Sequence, residues 1–237
     1  LKETGNTPIL FEKSESLGGQ FVLAGAISAK KDFKNAVNKM ILDVQESGIE
    51  VHLNTVVTKE MLEEIKPDAL IVAIGSSPFV LSIEGSERAI VAHDVLSEKV
   101  EVPGENVVII GGGLVGFETA EFLAARQKKV IILEMKEKAL QDLGPLRQIT
   151  AQFAMAQMPI TIETSATVER IEDHAVVASG KEYPYDSVIM AVGSKANDTS
   201  MYTDLGIPTY IVGDCKKAGV ALDAFKDAYH AVLEINK

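Results

Sequence analysis

The sequence contains no tryptophan, one cysteine and four histidines among its 237 residues. Each scarcity closes off a class of chemistry. A single cysteine, Cys215, leaves no partner for a disulfide within the chain and no thiolate set for an iron–sulfur or zinc site. His52, His93, His174 and His230 are scattered, and no metal site is read from their spacing. Unbroken apolar runs are short. Residues 69–74 and 107–110 are examples, set against the roughly 20 residues that cross a bilayer. No membrane partner is expected. The opening LKETG lacks a basic start followed by an apolar core, so no secretory signal is read and a cytoplasmic location is expected. It also lacks an initiator methionine, which reads as a fragment or a processed chain. Positive charge is in deficit: 23 Lys and Arg against 34 Asp and Glu give a net charge of −11. Nucleic acid is excluded as a partner, because phosphate neutralisation needs clustered cations. A small anionic ligand held by backbone N–H groups is not excluded.

What is present is alternation. Apolar strand-like runs take turns with helical patterns, which predicts an α/β fold with parallel sheets. The strands are expected at 8–12, 50–53, 69–74, 107–110, 129–133, 160–163, 187–192 and 209–212. Helices are expected at 31–48, 114–126, about 146–156 and about 220–235. In the first of these Phe33, Val37, Met40, Ile41 and Val44 share one face. A β-rich stretch covers 166–178 and turns at Ser179-Gly180. The Pro- and Gly-containing turn at 101–106 marks a boundary.

Two pairs of segments repeat. DALIVAIGSSP (68–78) and DSVIMAVGSKAN (186–197) share an acid, a buried strand and a glycine turn. PILFEKSE (8–15) and VIILEMKE (130–137) share a strand that ends in an acid. The chain therefore reads as two nucleotide-binding halves of one design. Residues 104–196 are expected as one domain, inserted in another built from 1–103 and 197–237.

The chemistry is most legible in the second half. Gly111-Gly112-Gly113-Leu114-Val115-Gly116 matches G-x-G-x-x-G, follows an apolar strand and opens a helix. Gly111 allows the tight turn, Gly113 lets the backbone approach a pyrophosphate, and Gly116 lets the helix pack close to the sheet. Phosphates are favoured at the helix N-terminus by its N–H groups and dipole. Glu134 ends the next strand, 21 residues after Gly113, where an acid receives ribose hydroxyls. That carboxylate favours NAD(H) over NADP(H), and Lys136 moderates the preference. In the first half Glu12 occupies the matching strand end. Gly18 and Gly19 can bring backbone close to a ligand or simply make a turn. Asp214, after Gly213, sits either as a helix cap or as a ligand contact at a strand's carboxyl end. This half has no glycine fingerprint of its own, and LKETGN reads as the last turn of a helix.

Glu12, Leu17-Gly18-Gly19-Gln20, Gly75, the fingerprint, Gly193 and Gly213-Asp214 stand in an order that resembles the glutathione-reductase-like flavoproteins with two dinucleotide-binding domains. In that fold a split FAD domain carries an inserted NAD(P) domain. The wording FEKSESLGGQFVLAGAISAKKDFKNAV, GGGLVGFETAEFLA and LGPLRQ is similar to the C-terminal region of the NADH:flavin oxidoreductase/NADH oxidase group, which includes 2,4-dienoyl-CoA reductase and trimethylamine dehydrogenase. The resemblance implies two Rossmann-like domains, the first split and lacking its first strand. It implies a partner domain of the same full-length protein, a barrel with FMN and a 4Fe-4S cluster that this sequence does not contain. The implied electron path runs from NAD(P)H to FAD and on to that barrel.

By the same resemblance Glu12 binds the adenosine ribose of FAD, and Gly18, Gly19 and Gln20 pass near its flavin. Asp214 holds the ribityl or pyrophosphate region. Residues 221–224 start the helix aimed at the flavin. Gly75 and Gly193 mark the two echoing turns, and Gly111, Gly113, Leu114, Val115, Gly116 and Glu134 form the NAD(H) site. No catalytic side chain is implied. The absence of C-x-x-C disfavours a disulfide reductase. Three readings follow: an NADH-dependent flavin oxidoreductase module that is inactive alone, with FAD weak or absent; an ADP-holding module without redox role, as in trimethylamine dehydrogenase-like proteins; and a truncated stand-alone oxidase or reductase. Uncovered sheet edges also predict self-association into a homo-oligomer.

Overall fold

The computed structural model describes residues 1–27, 30–141 and 143–237. A single 3-10 turn, Lys2–Thr4, is closed by Gly5 in a left-handed conformation and leads into strand β1, Ile9–Phe11. Helices α1 (Gly19–Leu23) and α2 (Lys31–Glu46) follow, then β2 (Glu50–His52), α3 (Lys59–Ile65), β3 (Leu70–Val72) and β4 (Ser76–Pro78). Next come β5 (Ile90–Val91), α4 (Ala92–Leu96), β6 (Asn106–Ile110), α5 (Leu114–Ala124) and β7 (Lys129–Leu133). After α6 (Pro145–Gln157) lie β8 (Ile160–Glu163), β9 (Val168–Ile171), β10 (Ala175–Ala178), β11 (Lys181–Pro184) and β12 (Ser187–Met190). The chain ends through β13 (Ser194–Ala196), β14 (Thr209–Ile211) and α7 (Ala221–Ile235).

The chain divides into two compact units, one of residues 1–25, 30–77 and 194–237 and the other of 26–29 and 78–193. The second unit holds a five-stranded parallel sheet in the order β5-β12-β6-β7-β8. The order of first use therefore reverses at β6: β7 and β8 extend one way and β12 the other. Ligands of open α/β sheets bind outside the strands' carboxyl ends at such a reversal. Strands β9, β10 and β11 form an antiparallel meander. Its Ile171, Val176, Ala178 and Tyr183 pack on Val108, Ile110, Leu133, Val188 and Met190 of the parallel sheet. Both faces of this sheet are covered, which is why β6 and β12 read as unbroken apolar runs. Each large side chain buried this way contributes about 1.5–3 kcal/mol. Helix α5 is buried over residues 116–124 and packs on β6 and β7.

The first unit holds two separate parallel pairs, β1 with β2 and β3 with β14. Its described core gathers Leu62, Val72, Tyr202 and Cys215, with Leu70 and Ile211 packed against it. Several elements lie outside the sequence expectations. Helix α3 is capped by Thr58, whose Oγ1 accepts from the Met61 amide at 3.4 Å. Strands β4 and β13 pair with each other. Among the described residues no helix is long and apolar enough to cross a membrane, and no cluster of His, Cys, Asp and Glu could hold a metal ion.

Candidate functional site

The fingerprint of the second unit is forced by space. Gly111 follows β6 at φ +110°, and a Cβ there would lie 2.4 Å from the carbonyl oxygen of Ala191. A Cβ on Gly116 would lie 2.0 Å from the carbonyl oxygen of Gly111. Glycine alone fits both positions, so β6, the turn and α5 pack with no side chain between them. Gly113 is the N-cap of α5, and the Phe117 amide donates to its carbonyl at 3.0 Å. The N-terminus of α5 therefore stands at the carboxyl end of β6. Gly193 follows β12, the strand beside β6, at φ +100°.

Glu134 stands where β7 ends and is 8% exposed. Its Oε2 accepts from the Gly112 amide at 2.8 Å and its Oε1 from the Lys136 amide at 2.8 Å. The acid thus ties the fingerprint turn to the loop after β7. Each carboxylate oxygen has two acceptor positions, so the group can still receive ribose hydroxyls. A second phosphate beside it would meet like charge. Lys136 contributes its backbone amide to this arrangement.

Glu12 repeats the local geometry in the first unit. Its Oε1 accepts from the Ser14 amide, two residues on, at 2.8 Å. The two strand-plus-acid segments seen as a sequence repeat thus share one conformation. Gly18, the N-cap of α1, takes φ +109°, and a Cβ there would lie 2.6 Å from Cγ2 of Val22. Gly19 is at φ +48° with open space around it, so only its conformation favours glycine.

Gln20, Gly75 and Asp214 come together, although they lie far apart in sequence. Gln20 Nε2 donates to the Ser76 carbonyl at 2.8 Å and to Ser76 Oγ at 3.1 Å. Ser76 Oγ donates to Asp214 Oδ2 at 3.0 Å. The Gly219 amide donates to Asp214 Oδ1 at 3.2 Å. Gly75 takes φ +71° just before Ser76, and Gly213 takes φ +66° in the 3-10 turn Gly213–Cys215 that presents Asp214. The sequence reading did not single out Ser76, and it missed Asn197 as well. The Asn197 side chain donates to the Ile74 carbonyl at 2.7 Å, and its amide donates to the Gly75 carbonyl at 3.1 Å. Ser77 Oγ donates to Asn197 Oδ1 at 2.6 Å. The one signal available was the echo between IGSSP and VGSKAN, whose last residue is this asparagine.

Cys215 is buried, its Sγ 3.2 Å from the carbonyls of Val72 and Val212. It behaves as a small core residue. In the second unit Arg147 pairs with Glu121 and lies 5.5 Å from the Phe117 ring centroid, which joins α6 to α5.

Comparison with known proteins agrees with this arrangement. The family described as pyridine nucleotide-disulphide oxidoreductase matches residues 2–218. NADH oxidase of Thermoanaerobacter brockii is 32% identical over 98% of this chain, which spans 38% of that protein. Cinnamate reductase of Clostridium sporogenes is 33% identical over 98% of the chain, which spans 36% of it. The structure of 2-naphthoyl-CoA reductase with 2-naphthoyl-CoA superposes at a TM-score of 0.88 and 29% identity, covering 95% of this chain and 36% of that one. The chain thus spans well under half the length of these relatives.

Proposed function

The chain belongs to the pyridine nucleotide-disulphide oxidoreductase family, and on that premise we propose that it is a nicotinamide-nucleotide:flavin oxidoreductase module. In this reading NADH binds the second unit and FAD the first. The observation that carries it is the fingerprint turn at the strand-order reversal, closed by Glu134 on Gly112 at 2.8 Å. The residues present fit both groups. Gly111 and Gly116 keep side chains out of the turn, and α5 brings the positive end of its dipole to the pyrophosphate. Glu134 accepts from the adenosine ribose and disfavours a 2′-phosphate. In the first unit Glu12 receives the other adenosine ribose, Gly18 and Gly19 bring backbone close to the cofactor, and Asp214 accepts from hydroxyls of the ribityl chain.

When bound, the cofactors supply a hydride donor and its acceptor, and the chain supplies binding and orientation. No side-chain acid or base is assigned a step. The one cysteine of the chain offers no dithiol, so the substrate of this module is not reduced by a cysteine pair of its own. A further domain of the full-length protein, carrying FMN and a 4Fe-4S cluster as the resemblance implies, would receive the electrons, and relatives more than twice as long leave room for such a domain.

Fluorescence titration of the purified chain with NADH and NADPH tests the reading. NADH binding tighter than NADPH supports it. A chain that binds neither, and yields only ADP on denaturation, is a nucleotide-holding module without redox role.

A further inference from the structure

We propose that Ser76 is a positioning residue, its hydroxyl linking Gln20 to Asp214 so that the Asp214 carboxylate is aimed at the polyol part of the cofactor. The inference rests on the reading of the first unit as the FAD-type half.

Ser76 is a buried polar residue, 8% exposed, in a unit where most polar side chains reach water. A serine hydroxyl has one proton and two acceptor positions. Gln20 Nε2 has two protons, and the Ser76 carbonyl (2.8 Å) and Ser76 Oγ (3.1 Å) both accept from it. With Oγ accepting from the amide, its own proton is directed at Asp214 Oδ2, 3.0 Å away. The chain of donors runs one way, from amide to hydroxyl to carboxylate. The Gly219 amide holds the other carboxylate oxygen at 3.2 Å. Asp214 is thereby gripped at both oxygens and keeps acceptor positions on each.

The position of Ser76 is itself fixed from the opposite side. Gly75 provides the positive-φ turn, and Asn197 binds the carbonyls of Ile74 and Gly75. The turn cannot swing the hydroxyl away without breaking these bonds. Three segments far apart in sequence therefore converge on one carboxylate. Carboxylate acceptors held in this way suit a ligand that presents a row of hydroxyl donors, as a ribityl chain does. ADP has the adenosine end but no ribityl chain, so the role of Ser76 concerns FAD and not ADP.

The test uses the chain as it stands, with Ser76→Ala, Ser76→Thr, Asp214→Ala and the Ser76→Ala/Asp214→Ala double variant. FAD and ADP affinities are measured by calorimetry and stability by urea denaturation. Ser76→Ala is expected to weaken FAD about tenfold, as befits a hydrogen bond to a charged group, and to leave ADP within about twofold. Ser76→Thr, which keeps the hydroxyl, restores FAD binding. In the Asp214→Ala background the Ser76→Ala change has no further effect on FAD, because the two act as a unit. Loss of FAD and ADP together with a lowered urea midpoint would show a purely structural serine and overturn the proposal. Unchanged FAD binding in Ser76→Ala, with the native chain binding FAD, would overturn it while leaving the cofactor reading intact. A native chain that binds FAD no better than ADP would remove the cofactor reading and the proposal with it.

Discussion

Alanine at Gly116 sets two opposed effects against each other. Its Cβ would sit 2.0 Å from the carbonyl oxygen of Gly111 and 3.1 Å from the carbonyl carbon. Ordinary contact is about 3.5 Å, so helix and turn must separate by roughly 1 Å or more. The obstructing atom is backbone, in a turn whose own glycine sits at φ +110°, so it cannot swing aside like a side chain. Helix α5 is buried over residues 116–124 and has no open side to retreat into. Alanine gains about 1 kcal/mol over glycine in a helix interior. Overpacking a filled core costs about 1–3 kcal/mol and sometimes more. Because the obstructing atom is backbone at 2.0 Å, the cost falls at the upper end of that range, the clash wins, and the net loss approaches about 2 kcal/mol. The N-terminus of α5 moves with the helix, and an anion placed by it feels the same displacement, so NADH affinity falls about tenfold, equivalent to about 1.4 kcal/mol. Urea denaturation followed by circular dichroism reads the first effect, and NADH fluorescence titration the second. A variant with native urea midpoint and native NADH affinity would refute the close-packing argument.

Other perturbations follow from the same geometry. Glu134→Gln faces an amide N–H₂ with either the Gly112 or the Lys136 N–H, stranding a backbone donor at a cost of about 1–3 kcal/mol; the urea midpoint should fall and NADPH should bind more nearly like NADH, and an unchanged NADH preference would contradict the role of this acid. Glu121→Ala leaves Arg147 without its carboxylate, and Arg147 is 24% exposed; a loss of about 3 kcal/mol is expected, whereas Glu121→Leu with Arg147→Met should be close to neutral, and equal losses in the two variants would contradict this. Burial holds the His93 imidazole below its ordinary value. A depressed folded-state value adds stability above the unfolded value of about 6.5 that is lost as pH falls towards the folded value. Acidification from neutral pH should therefore destabilise the native chain more than His93→Gln, and equal pH profiles in urea denaturation would exclude this source.

The legible parts of the fold were those with a local cause. Strands β7 and β8 take the bounds expected of them: β7 is a largely buried apolar run, and β8, at the sheet edge, is a short β-branched segment that follows Pro159. Helix α6 was placed to within a residue at each end, between a glycine-proline start and the Met158-Pro159 break. The fingerprint was legible for a steric reason: Gly111 and Gly116 have to be glycines, and that constraint is written in the residues themselves. Helix α3 escaped notice at seven residues, although Thr58 and buried Leu62 were in register as cap and core contact. Strands β4 and β13 are three residues each, too short for a period-two pattern to form. Ser76 was beyond reach. Nothing in GSSP distinguishes it from Ser77, since its partner Asp214 is 138 residues away and only the fold brings them together. Asp214 stands out by its place after a strand's carboxyl end and Gln20 through the resemblance, while the bond network that joins them belongs to tertiary structure alone.

The central claim is that the two units together pass reducing equivalents from a nicotinamide to a flavin. It is tested most directly by mixing the purified chain anaerobically with saturating FAD and adding NADH or NADPH while following the visible flavin absorbance. The account predicts bleaching that requires the chain, is faster with NADH, and in Gly116→Ala needs about tenfold more NADH for the same rate. Bleaching at the same rate with and without the chain would contradict it.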